Sequence, residues 1–209
     1  MAARTVKARE RIGADKSPAS AHGLREESME WFDDVRLRAK RKNKVLFLPG
    51  DRLLDELSAL AERAERRALV VWALDLAAEA ALRLKELLPD EKRPAEALDL
   101  AWLWARGKVK MPIAKRAILA CHAVAKEDVG PEAAALCHAV GQACAVVHAR
   151  GHALGFAVYE LTAIARRDGV ENCAAAVQER VREYMARLLQ AQEAAPGAPG
   201  PWAKFLDTP

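Results

Sequence analysis

Between Gly130 and Asp168, small and imidazole-bearing residues recur at steps of three and four: His138, Gly141, Ala145, His148, His152, Gly155 and Tyr159. In an α-helix such spacing lines residues along one face. Glycine in a helix interior costs about 1 kcal/mol against alanine. Gly141, Gly151 and Gly155 therefore call for a compensating close approach, by neighbouring helices or by a ligand. Pro131 is a natural first helical residue, and Asp168-Gly169 is a natural stop preceded by Arg166 and Arg167, whose charges suit a helix C-terminus. The stretch reads as one long helix or as two split near Gly151.

The rest of the chain is helical in pattern too. Of 209 residues 52% are apolar but only 5% aromatic, and alanine and leucine carry most of the apolar side chains, which favours helices over strands. Asp51, after the Pro49-Gly50 turn, is placed to cap a helix bearing Leu54, Leu57, Leu60, Ala61 and Ala64. A break near residue 66 separates it from a helix over 68–88 that buries Leu69, Trp72, Leu76, Ala80 and Leu84. Pro94 opens a third helix that ends at Gly107, with Trp102 and Trp104 on different sides. A fourth begins around Pro112 and carries Ile113, Ala117, Ala120, Cys121 and Val124 beside His122. The last, over 171–191, shows a stripe of Ala174, Val177, Val181, Tyr184 and Leu188. The expected fold is an all-α bundle of about six to seven helices, with a long His/Gly-bearing helix packed centrally.

Domain organisation follows from composition. Residues 1–45 form a basic leader with twelve Lys/Arg against seven Asp/Glu, disordered over 1–24 and with a short helix near 26–41. Residues 46–192 form the helical domain, and 193–209 form a Pro/Gly linker and terminal segment whose Trp202 and Phe205 could dock on the body or on another subunit. The body is essentially neutral, so the net charge of +4 makes nucleic-acid binding an unfavoured function. Cys121, Cys137, Cys144 and Cys173 lie in apolar helical contexts without Cys-x-x-Cys spacing. They read as buried free thiols of a cytoplasmic protein. The most apolar window, 68–84, holds Asp75, Glu79 and Arg83, which is too polar for a membrane span.

His148 and His152, four apart, could share one cation from one helix, with His122 or Asp75 as third ligand. Three readings of these imidazoles stand open: core rings bonded to carboxylates or helix ends, ligands of a divalent metal such as zinc, or a metal-free acid/base or partner contact. Asp90-Arg93 reads as capping with a surface ion pair, and Asp75-Arg93 as an interior pair. No Gly-x-Ser-x-Gly, phosphate-binding loop or dinucleotide fingerprint is present. A metal-activated water is the one enzymatic route that stays open.

The succession Trp72-Ala73-Leu74-Asp75-Leu76-Ala77, Leu88-Pro89-Asp90-Glu91-Lys92-Arg93-Pro94, Trp104-Ala105-Arg106-Gly107, Ala120-Cys121-His122-Ala123 and Val147-His148-Ala149-Arg150-Gly151-His152-Ala153-Leu154-Gly155 with Tyr159 resembles a bacterial family of immunity proteins, the fifth-type-like immunity domain of polymorphic toxin systems. The resemblance covers roughly residues 50–168. It implies an all-helical domain grouped with proteins that neutralise a toxin, a protein partner; the expectation beside it is binding without catalysis and without a cofactor, the alternative being a divalent-metal-binding bundle or metal-dependent hydrolase. The positions matching its signature are Trp72, Asp75, Asp90, Arg93, Pro94, Trp104, Gly107, His122, His148, His152 and Tyr159, which makes them candidate partner or cleft residues. Leu76 departs from it, where a cysteine is expected in many relatives, so no thiol is needed there.

Overall fold

A computed structural model of the chain describes residues 30–195 and 200–206. The disorder expected over 1–24 and the middle of the Pro/Gly linker lie outside the described residues. In chain order the α-helices are α1 (Glu30–Lys40), α2 (Asp55–Arg63), α3 (Arg66–Leu87), α4 (Arg93–Ala105), α5 (Met111–Val124), α6 (Pro131–Ala145), α7 (His152–Asp168) and α8 (Ala174–Ala194). Among the described residues there is no strand, as the Ala/Leu-rich composition requires. The count exceeds six to seven because the 130–168 stretch is two helices and the short helix near 26–41 is formed as well. No helix among the described residues is long and apolar enough to cross a membrane.

Helices α3 and α6 are the central pair. Along α3, Val70, Ala73, Leu74 and Ala77 are buried as well as the stripe Leu69, Trp72, Leu76, Ala80 and Leu84, so it is covered on most sides rather than on one. Helix α6 is buried along most of its length by small side chains and packs against α3, α4, α5 and α7. Small residues let helix axes approach, which brings more surface into contact. Trp72 meets Phe156 and Tyr184 edge-on at 6.0 and 6.1 Å between ring centroids, and its indole N–H donates to the Tyr184 carbonyl at 2.9 Å.

Local chemistry sets several boundaries. Glu65 caps α3 by accepting from the Ala68 amide, at the break expected near residue 66. Gly107 ends α4 at φ 69, with its own amide bonded to Trp104 and that of Lys108 to Leu103. This pairing of bonds is the Schellman motif, and its left-handed residue suits glycine. Lys42 holds the same place after α1 at φ 58, with Lys42 bonded back to Ala39 and Asn43 to Arg38. A side chain in that conformation costs on the order of 1 kcal/mol. Asp51 does not cap a helix. Its buried carboxylate accepts from the Leu48 amide and from both terminal nitrogens of Arg38 at 2.6 and 2.7 Å, and a 3-10 turn, Arg52–Leu54, precedes α2.

Both flanks join the body. Trp31, Phe32 and Val35 of α1, with Leu46 and Phe47 after it, lie in the same hydrophobic core as the central pair. At the other end the Ala203 amide donates to the Ala105 carbonyl at 2.8 Å, Phe205 rests 6.0 Å from Trp104 and Leu206 is buried. Of the two docking sites open to this segment, it takes the body.

One buried ion network ties α3, α7 and α8. Glu160, 6% exposed, accepts from Arg180 at 2.8 and 3.0 Å and from the Tyr184 hydroxyl. Arg180 also reaches Glu79 and Glu183. Removing one partner of such a set strands the others without water. Glu160→Ala should therefore cost about 3–5 kcal/mol in urea unfolding. Arg182→Ala, which breaks only the exposed pair with Glu179, should change stability by about 0.5 kcal/mol or less.

Candidate functional site

The imidazole-bearing stretch is broken at residues 146–151, where the amides of Val146, His148, His152 and Ala153 bond three residues back rather than four. The turn is held from outside. Arg150 donates to the Ala61 and Ala64 carbonyls at the end of α2, and Arg66 donates to the Val147 carbonyl at 3.1 Å. Helices α6 and α7 then run antiparallel, pairing Gln142 with Gly155 and His138 with Tyr159. In one continuous helix His138 and Tyr159 would be about 31 Å apart; their rings are 4.8 Å apart. The single histidine face of one long helix is replaced by a seam between three helices.

Two glycines make that seam. A β-carbon on Gly141 would sit 2.5 Å from Cε1 and Nε2 of His122, and one on Gly155 would sit 2.5 Å from Oε1 of Gln142. Close approach is thus made by side chains from α5 and α6 rather than by a ligand. Gly151 has nothing within 4 Å of a β-carbon; it belongs to the turn.

Four histidines gather here. His122 and His138 bring their Nδ1 atoms to 2.9 Å, so one ring must donate its N–H to the other's lone pair, and both cannot be charged without losing the bond. His152 Nδ1 donates to Gln142 Oε1 at 2.6 Å, which leaves its Nε2 as the acceptor. His148 lies exposed in the turn, stacked on Trp104 at 5.6 Å and 5.2 Å from the His152 ring. Burial, then His138 and His152, pushes the His122 pKa down to about 4. His138 is lowered by burial, then by Lys44 and Lys126, and His152 by burial, then by His148.

The ring centroids of His148 and His152 are 5.2 Å apart. Among the described residues no group of three or more His, Cys, Asp or Glu side chains is arranged to hold a metal ion. Asp75 is not with them; the charges that act on it are Arg187 and Glu79, at the α3–α8 side. Trp72, 2% exposed, offers no surface to a partner. Asp90 is exposed in the turn after α3, and Arg93 pairs with neither Asp90 nor Asp75. Its guanidinium grips Glu91 at 2.5 and 2.8 Å and Glu127 at 2.8 and 3.0 Å, stapling the start of α4 to the loop after α5. Trp104 is buried between His148 and Phe205.

At the far end of the seam His138 and Tyr159 line a cleft of about 810 Å³ whose wall also carries Lys42, Lys44, Lys126 and Arg166. The basic run before Val45 supplies two of these cations. Sequence reasoning treated that run and Tyr159 separately; only the antiparallel return of α7 brings them together. Sequence reasoning also missed Glu160 and Arg180. An acid following Tyr159 and an arginine one turn before Tyr184 are the signal they left.

Fold and site together define an all-helical domain with a histidine seam opening on a basic cleft. The family model described as Imm-5 like putative immunity protein matches residues 59–187, more than half of the chain, and the protein belongs to that family. The match takes in most of α8, beyond the 50–168 stretch that carries the resemblance in sequence. Comparison with curated proteins and with solved structures gives no match in either.

The close approach at Gly141 has a measurable consequence. Gly141→Ala must displace His122 and should cost about 1–3 kcal/mol. Gly151→Ala, at φ −57 in open space, should leave stability unchanged or raise it by up to about 1 kcal/mol. Thermal melts of the two variants separate these outcomes.

The imidazoles also set an acid limit. Each of His122, His138 and His152 binds a proton less readily folded than unfolded, so acid favours the unfolded chain. Stability should be level above about 6.5, the ordinary histidine value, and fall as pH drops from there toward 4, the His122 value. Urea midpoints across that range test the slope, and the His122 ring protons should titrate near pH 4 by NMR.

Proposed function

We propose that this protein neutralises a cognate toxin in the cytoplasm by binding it, with no reaction of its own. Membership of the immunity family over residues 59–187 carries the reading. The site's chemistry supports it. Burial pushes the Cys137 and Cys144 thiols up to about 12 and raises Cys121 as well, which makes them poor nucleophiles. The imidazoles are engaged with one another, with Gln142 and with Trp104. Four buried free thiols suit a reducing compartment. Exposed charge beside aromatic rings is the surface chemistry that selects and steers a protein partner.

Growth arrested by a toxin encoded beside this gene should resume on co-expression, and the two chains should co-elute as a stoichiometric complex. A toxin disabled in its own active site should bind equally well. Rescue without a complex would contradict the proposal, because it would mean that the protein acts catalytically.

A further inference from the structure

We infer that the cleft beside His138 and Tyr159 binds an acidic segment of a protein partner. The inference rests on the neutralising role proposed above and names the surface that performs it.

The cleft holds more cations than acids free to balance them. Lys42, Lys44 and Lys126 make no ion pair among the described residues, and Arg166 spends one nitrogen on the Asn43 carbonyl at 2.7 Å. Of the two acids in the wall, Glu127 is already gripped by Arg93, which leaves Asp128 against four positive groups. The Tyr159 hydroxyl has no hydrogen-bond partner among the described residues, so it can donate to a carboxylate. The first turn of α6 opens on the same space through Gly130 and Pro131; with glycine at its N-cap it has no side-chain cap, and its positive end adds to the field.

Size and sign together select the occupant. About 810 Å³ takes a few side chains rather than a single small ion. Unpaired lysines around aromatic rings suit several carboxylates in sequence. Residues 46–209 as a whole are close to neutral, with 21 Lys/Arg against 22 Asp/Glu, so the four cations around the cleft are a local concentration rather than part of a generally basic body.

The full-length protein should bind a labelled hexaglutamate peptide at low salt, release it as salt rises, and ignore hexaglutamine. Lys44→Glu/Lys126→Glu changes two exposed side chains and should weaken binding about tenfold or more, with the thermal melt unchanged. Lys115→Glu, exposed on α5 and outside the cleft, should bind as the parent does. Peptide should shift the His138 ring resonances and raise its pKa, because added carboxylates offset Lys44 and Lys126. Unaltered affinity in the double variant, a silent His138, or tighter binding of a single-stranded oligonucleotide of equal charge would overturn the assignment. In the toxin assay the double variant separates the two readings. Lost rescue supports the cleft, and full rescue overturns the cleft while leaving neutralisation standing. A toxin that the parent protein itself fails to counter overturns neutralisation, and the peptide result still decides the cleft.

Discussion

Gly141 lies under the His122 ring so closely that a β-carbon would sit 2.5 Å from two of its atoms, and Gly155 stands in the same relation to Gln142. These contacts fix how near α6 comes to α5 and α7. With ordinary side chains at both places the helices would have to separate, and the His122–His138 and His138–Tyr159 contacts would open with them. Helix α6 is therefore built of small residues, and its helical stability derives from being covered by α3, α4, α5 and α7 rather than from an amphipathic stripe. The cost of the glycines is offset by the surface that the approach buries.

Two polar arrangements inside the bundle show opposite physics. Around Glu160 every charge has an opposite partner, and the carboxylate accepts from Arg180 and Tyr184. Such a set resists change and holds α7 against α8 and α3. Among the described residues the imidazole seam has no acid as a hydrogen-bond partner. Burial lowers the pKa of His122 and His138, and Lys44 and Lys126 lower that of His138 further. The first arrangement serves the fold, and the second faces the cleft.

How legible this was depended on the range of the determinant. Pro94, Gly107, Pro131 and Gly169 act through their own backbone, and the helix ends they mark were readable from sequence. The turn at 146–151 contains no proline, and the residues that hold it, Arg66, Ala61 and Ala64, are more than eighty positions away. An alanine-rich stretch is compatible with either a turn or a helix, so only packing decides. Arg93 showed the same limit. Sequence proximity and pattern point to Asp90 and Asp75 as its partners, whereas loop closure brings Glu91 and Glu127 to it. Asp51 was expected to cap a helix, and tertiary contact with Arg38 took its carboxylate instead. The histidines were recognisable as a group in the sequence, but that His122 and His138 face each other across α5 and α6 depends on how the helices pair.

Antiparallel return of α7 thus brings residues scattered along the sequence to one face: His138 and Tyr159 from the seam, lysines from either side, and the open end of α6. Under the proposed function, that face is the surface that meets the toxin. Hydrogen exchange of the protein with and without its toxin tests the account most directly. Slowed exchange should be confined to the segments that wall the cleft, residues 39–45 and 125–135 with the neighbourhood of Tyr159 and Arg166. Slowing centred on the outer surface of α8, with the cleft segments unchanged, would contradict it.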